Sequence, residues 1–316
     1  MKEYFVTFFN KVYLPQGLSL CESLNKVYSE FTLFIFCIDE ETYKVLKNLK
    51  IKNIELKKIS NFENSQLNLL KKERTIAEYC WTLTPHVIEW VFKENGHINR
   101  LTYLDADLFF FKSPRPIFDE FLNSNKSVLI TKHAFSPTSD YSHISGHYVV
   151  QFISFKRDFG LEILLEWKNK CINWCFDWYE DGKYGDQKYL EEWPIKYYES
   201  VHVLHMEQYA MGPWNIDRFP YSDCIFFHFH GLKLLSKKNI FLGNYEIPIK
   251  PYNFIYKVYS NSLKRSITLL EKSNFKIIRQ IKLRRIIKLI VKRKLSSFLN
   301  FLKVKFNFTG FIRIID

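Results

Sequence analysis

Short, almost wholly apolar runs alternate along this chain with longer stretches whose apolar residues recur every three or four positions. Residues 4–9, 31–38 and 54–59 are runs of the first kind and read as buried strands. Between them, residues 18–28 carry helical spacing. Asp39-Glu-Glu-Thr opens a second helix with an N-cap aspartate and acids in its first turn, where the helix dipole favours them.

The alternation continues. Residues 60–73 read as a polar connection, and 75–94 as a helix with Ile76, Tyr79, Leu83, Val87 and Val91 on one face and Pro85 as a kink or break. Residues 101–104, 127–131, 148–155 and 202–205 are further strands. Residues 161–177 form a helix bearing Trp167 and Trp174, and 224–230 a strand ending in a histidine pair. The segment 132–147, rich in Ser and His, reads as a lid or loop. Strand and helix in turn predict an α/β fold, a mostly parallel sheet flanked by helices, with its ligands beyond the carboxyl ends of the strands.

Composition places the chain among folded proteins: 47% of its 316 residues are hydrophobic, including 30 Phe and 19 Tyr, which supplies a core and excludes a disordered chain. No uncharged apolar run approaches the roughly 18 to 20 residues of a membrane span. Charges at Lys2 and Glu3 make the first ten residues a strand rather than a signal peptide. Six cysteines without a C-x-x-C pair read as reduced thiols, and Cys171 and Cys175 as core residues; a cytoplasmic location is expected.

Charge divides the chain. Residues 252–316 hold 16 Lys and Arg against 2 acids, whereas the rest holds 30 against 31, so the net charge of +13 belongs to the tail. A body over 1–250 and a basic extension over 251–316 are therefore expected. Lys257 to Lys305 mixes cations with Ile278, Ile281, Ile286, Ile287, Ile290, Phe298 and Leu302, a pattern for one or two basic amphipathic helices on an anionic membrane surface. The tail is richer in Ile and Leu than in exposed aromatic residues for stacking on bases and the body is neutral, so nucleic acid is not an expected partner.

Candidate chemistry centres on Arg100-Leu-Thr-Tyr-Leu-Asp-Ala-Asp-Leu-Phe-Phe-Phe111. The strand delivers Asp105 and Asp107 at its carboxyl end, an oxygen-rich corner suited to a hard divalent cation. The same pair can also simply close a strand with solvated acids. Asp186 stands at a helix start, where an aspartate is also a common N-cap. His228 and His230, two apart on a strand, share a face.

Leu-Asp-Ala-Asp, Gly-Asp-Gln and His-Phe-His-Gly-Leu-Lys, in that order, resemble the nucleotide-sugar glycosyltransferases of the GT-A fold, above all glycosyltransferase family 8 and related bacterial transferases of surface polysaccharide assembly. The resemblance spans residues 3–235. It is sharpened by Arg74-Thr-Ile-Ala-Glu-Tyr-Cys-Trp-Thr-Leu-Thr-Pro85 and by Asp181-Gly-Lys-Tyr-Gly-Asp-Gln-Lys-Tyr-Leu-Glu-Glu-Trp-Pro194.

The resemblance implies a Rossmann-like GT-A sheet and roles for particular residues. Asp105, Ala106 and Asp107 would match the D-x-D motif that holds Mn²⁺, or Mg²⁺, against the donor diphosphate. His228 would be the third metal ligand, with His230 as the alternate. Gly231 and Lys233 would meet the diphosphate, and Asp186 and Gln187 would stand beside the donor sugar and its anomeric carbon. Thr7, Phe8 and Asn10 would line the nucleotide, with Arg74 nearby, and Trp214 and Asn215 would border the acceptor.

The implied activity is transfer of a sugar from a nucleotide-diphosphate sugar, a UDP-sugar favoured, to a hydroxyl of a glycan or lipid-linked acceptor. Retention of configuration and a place in cell-surface polysaccharide or lipopolysaccharide assembly are implied with it. The alternatives are an inactive scaffold of the same fold, because the Asn-x-Gly common in that family is absent from 149–152, where Val-Val-Gln-Phe stands, and a membrane- or nucleic-acid-binding protein acting through its basic tail.

Overall fold

A computed structural model describes residues 2–137, 140–245, 247–280 and the strand Ile312–Ile314. The first half of the body comprises β1 (Glu3–Phe9), α1 (Leu14–Val27), β2 (Phe31–Cys37), α2 (Glu40–Leu49), β3 (Ile54–Lys58), α3 (Ser65–Glu73), α4 (Ile76–Glu94), β4 (Arg100–Leu104), β5 (Leu108–Phe110), α5 (Arg115–Asn123) and β6 (Val128–Lys132). After it come α6 (Ser142–Ser145), β7 (Tyr148–Lys156), α7 (Phe159–Asn173), α8 (Trp193–Lys196), β8 (Val201–Val203), β9 (Ala210–Met211), β10 (Phe226–His228), β11 (Lys233–Leu234), β12 (Asn239–Phe241), α9 (Ile249–Pro251), α10 (Lys257–Lys272) and β13 (Ile312–Ile314).

Seven strands form the main sheet in the order β3-β2-β1-β4-β7-β6-β8, and β7 alone runs against the others. This is the mixed, mostly parallel α/β sheet expected. Side chains alternate across it, as the period of two requires. Val6, Phe8, Phe34 and Phe36 enter the core beneath α4 and α7, whereas Phe5, Phe9, Leu33 and Ile35 enter the one beneath α1, α2 and α5. Parallel β1, β2 and β4 leave their carboxyl ends together at one edge, and β5-β10-β9 forms a smaller sheet beside that edge.

Two expectations change locally. Residues 65–73 are a helix, started by Asn64 accepting from Leu67 N–H at 2.9 Å; only Leu67 of α3 is buried, too thin an apolar face for periodicity to show. Pro85 does not break α4, which runs unbroken from a capping box of Thr75 and Glu78 and is held to the core by Leu83, Val87, Ile88 and Val91. Cys171 and Cys175 are wholly buried in that core, as expected.

Beyond residue 250 the chain packs onto the body. Tyr259, Leu263, Ile267 and Leu270 of α10 are buried, and its polar residues bond to α1 through Ser266 to Ser19 at 3.1 Å and Ser262 to Glu22 at 2.7 Å. The Tyr259 ring stacks on Phe229 with centroids 3.6 Å apart. Ile281, Ile286, Ile287, Ile290, Phe298 and Leu302, named for the amphipathic tail, lie outside the described residues. Among the described residues, no helix is long and apolar enough to cross a membrane.

Candidate active site

The site is built at the carboxyl end of β4. Asp105 N–H donates to Gln151 O of β7 at 3.0 Å, and Leu108 N–H returns to Asp105 O at 3.2 Å, so Asp105-Ala106-Asp107 is a tight turn into β5. His228 ends β10 directly opposite Leu108 of β5, and Phe229 N–H donates to Asp107 O at 3.0 Å. That register sets the imidazole against both carboxylates. Its Nε2 is 3.0 Å from Asp107 Oδ1 and 3.6 Å from Asp105 Oδ2, and one ligand atom from each of the three side chains lies within 4.8 Å of the others.

Two groups orient this cluster. Tyr103 donates to Asp105 Oδ1 at 2.8 Å, and Gln151 Oε1 is 3.0 Å from His228 Nδ1. An amide oxygen only accepts, so Nδ1 carries the proton and Nε2 faces the carboxylates. Burial opposes ionisation of both aspartates, yet His228 holds Asp107 well below the usual carboxylate range, helped by Lys233. Asp105 rises, by burial first and by the neighbouring Asp107. Burial opposes the charged form of His228 too, but Asp107 and Asp105 raise it.

His230 follows on the exposed side, its ring 5.4 Å from His228 and outside the three-residue cluster. The chain then turns at Gly231, whose φ is +77°, in contact with a second left-handed glycine, Gly243. A Cβ on Gly243 would come within 3.2 Å of the Gly231 carbonyl carbon, so the two turns cross only as glycines. Lys233 thereby comes back towards the aspartates and donates to the Tyr13 hydroxyl.

Asp186 is buried near Asp105, and burial, with Asp105 next, pushes its carboxyl up to about 8. Gln187 donates to Ser145 O at 2.8 Å, and Glu191 accepts from His147 N–H at 2.5 Å and lies 2.9 Å from its Nδ1. The loop that carries Asp186 therefore fastens the 132–147 segment. The Trp214 ring stands edge-on to His228, with centroids 5.5 Å apart. Asn215 spends its amide within the protein, accepting from Gly212 N–H at 2.9 Å and donating to His133 O at 2.9 Å, so it shapes the loop that presents Trp214.

Other residues named from the sequence are placed differently. Arg74 donates to Cys171 O at 2.7 Å, Ile172 O at 2.6 Å and the Thr82 hydroxyl, so it caps the last turn of α7. Thr7 is fully enclosed in β1, Phe8 packs on Tyr103 with ring centroids 5.8 Å apart, and Asn10 caps the turn that presents Tyr13 by accepting from Val12 N–H at 3.0 Å.

Four residues escaped the sequence reading: Gln151, Tyr103, Tyr13 and Gln280. Gln151 had a signal, since it is a lone amide within the apolar run Val149 to Ile153 of β7. Gln280 had none; it bonds Leu234 N–H at 2.8 Å and Val12 O at 2.7 Å, tying the chain after α10 to the elements that hold Lys233 and Tyr13. Buried Gln151 Nε2, Trp214 Nε1 and His133 Nδ1 have no hydrogen-bond partner among the described residues.

The mixed, mostly parallel seven-stranded sheet flanked by helices is a GT-A fold, and solved structures bear this out. A galactosyltransferase, LgtC, solved with donor and acceptor sugar analogues, superposes with a TM-score of 0.55 at 10% identity, covering 83% of this chain and 95% of that one. The glycosyltransferase GlyE of Streptococcus pneumoniae TIGR4 superposes at 0.52 with 13% identity, covering 89% of this chain and 66% of that one. No family model matches the chain. The chain belongs to the family of the uncharacterized protein YfnF of Bacillus subtilis (strain 168), with which it is 31% identical over 281 residues, 83% of this chain and 92% of that protein.

Proposed function

We propose that the protein is a metal-dependent glycosyltransferase that moves a sugar from a nucleotide-diphosphate sugar to a hydroxyl of a glycan or lipid-linked acceptor in cell-surface polysaccharide assembly. The observation that carries this reading is the Asp105–Asp107–His228 cluster at the carboxyl edge of a GT-A sheet. Two carboxylates and one imidazole fit Mn²⁺ or Mg²⁺ better than a softer ion. The Gln151 and Trp214 N–H donors beside the cluster, without a partner among the described residues, favour a polar ligand there over a dead scaffold.

A bound divalent cation supplies neutralisation of the diphosphate as it leaves. Asp105, Asp107 and His228 would hold that cation, and Gln151 would fix the imidazole that faces it. Lys233 would add a second positive charge to the diphosphate, braced by Tyr13. Asp186 is buried and its pKa is raised to about 8, so near neutral pH it holds its proton and binds a sugar hydroxyl rather than attacking as a carboxylate. Gln187, tied to the 132–147 segment, would help close the sugar off from water. In a retaining transfer the departing phosphate oxygen would take the acceptor proton, so no strong side-chain base would be needed.

Release of nucleoside diphosphate from UDP-sugars tests this reading. Turnover that requires Mn²⁺ and falls at least about a hundredfold in Asp107→Asn is expected, whereas turnover unaffected by that substitution would overturn it.

The basic tail supports a second, narrower proposal: docking on an anionic membrane face. The apolar face of α10 is buried against α1, so docking would fall to the 10 Lys and Arg beyond Gln280. Co-sedimentation with phosphatidylserine vesicles tests it, and binding that survives deletion of residues 281–316 would count against it.

A further inference from the structure

A second group of metal-binding side chains stands at the far edge of the sheet. Glu120 projects from α5, and His202 and His205 come from β8 and the turn after it. Glu120 Oε1 lies 2.7 Å from His202 Nε2 and 3.5 Å from His205 Nδ1, and the three donor atoms lie within 4.8 Å of one another. β8 is separated from β4 by β7 and β6, which at about 4.8 Å per strand puts this group on the order of 14 Å from the aspartate pair.

The arrangement is held by the backbone. Leu204 N–H continues the pairing to Ile130 O at 3.0 Å, after which Glu207 N–H turns back to His205 O at 2.9 Å. This brings the two imidazoles together, centroids 4.8 Å apart and rings at 81°. His205 N–H donates to Glu120 Oε1 at 2.7 Å, and His202 stacks on Phe121 with centroids 6.5 Å apart. His202 is 7% exposed, whereas the His205 side chain is 78% exposed, so the group is anchored on one side and open to solvent on the other.

We infer that Glu120, His202 and His205 form a zinc site with a fourth position open to water. Bonds of about 2.0–2.2 Å at tetrahedral angles put neighbouring donor atoms about 3.3 Å apart, and the two carboxylate–imidazole distances, 2.7 and 3.5 Å, lie on either side of that spacing. Two imidazoles and one carboxylate favour Zn²⁺ over the Mn²⁺ that suits the aspartate pair. Binding would release to solvent the proton held between His202 Nε2 and Glu120 Oε1, and the ion would join α5, the helix that follows β5, to β8, the edge strand of the sheet.

The test uses full-length, chelator-stripped protein and Zn²⁺, with Co²⁺ as an optical probe of tetrahedral coordination. Wild type and Asp107→Asn should both bind Zn²⁺ here and give the intense visible bands of four-coordinate Co²⁺. His205→Ala, which removes an exposed ring, should weaken this binding about tenfold or more and lose the bands, and Glu120→Gln should do the same. The Mn²⁺-dependent thermal shift should survive in His205→Ala. Zinc affinity in Asp107→Asn/His205→Ala within twofold of that in Asp107→Asn would overturn the assignment, as would Co²⁺ bands lost in Asp107→Asn but kept in His205→Ala.

Discussion

Gln151 Oε1 sits 3.0 Å from His228 Nδ1, joining the middle of β7 to the end of β10. The contact fixes the ring orientation and leaves Nε2 towards Asp107. Replacing Gln151 by Leu keeps the bulk and strands the Nδ1 proton in a buried place. Mn²⁺ affinity should fall about 10- to 100-fold, read by calorimetry on folded protein; unchanged affinity would remove Gln151 from the site.

Asp186 makes a prediction about stability. Its carboxyl titrates near 3.8 in the unfolded chain and at about 8 when folded, raised by burial and then by Asp105. The native state thus keeps a proton that the unfolded chain releases, and stability falls as pH rises between those values, by about 1.4 kcal/mol per unit. Asp186→Asn has no such proton to lose. Its melting temperature should exceed that of wild type by a margin that grows from pH 5 to pH 8, by roughly 2 °C or more per unit, while sugar transfer is lost. Parallel melting curves would contradict the buried, protonated acid.

Glu191 clasps His147 by two contacts, and Gln187 holds Ser145 O. Glu191→Ala should release the 132–147 segment and raise the donor KM several-fold, about 1 kcal/mol of lost positioning, with little change in melting temperature. Unaltered kinetics would leave that segment without a role in donor binding.

Tyr259 stacks on Phe229, the neighbour of His228. Tyr259→Ala should cost about 3 kcal/mol or more of stability and weaken Mn²⁺ binding with it, measured by urea unfolding and calorimetry. A stable variant with intact metal affinity would show that α10 only covers the body.

The sequence made the sheet and the aspartate–histidine cluster legible for a physical reason: buried strands are apolar throughout, and the acids Asp105 and Asp107 follow the end of one of them. Asp105, Asp107, His228 and Lys233 were readable because each sits at a strand or turn end and together they match an ordered set of motifs. The contacts of Gln151, Tyr13 and Gln280 were not, because they join residues far apart in sequence; the Gln280–Val12 bond spans 268 positions. Arg74 shows the reverse error. Its place before a helix suggested the nucleotide, but the carbonyls at the end of α7 lie nearer and claim its guanidinium. Polar α3 was missed because a helix with one buried side chain leaves no periodic trace.

The most direct measurement is thermal stability against UDP, GDP, CMP, ADP and dTDP, each with and without Mn²⁺. One nucleotide, UDP foremost, should raise the melting temperature only with metal, by about 2.7 kcal/mol of added stability at a hundred times its dissociation constant, and the shift should vanish in Asp107→Asn. No metal-dependent shift for any nucleotide in folded protein would contradict the donor site at Asp105, Asp107 and His228.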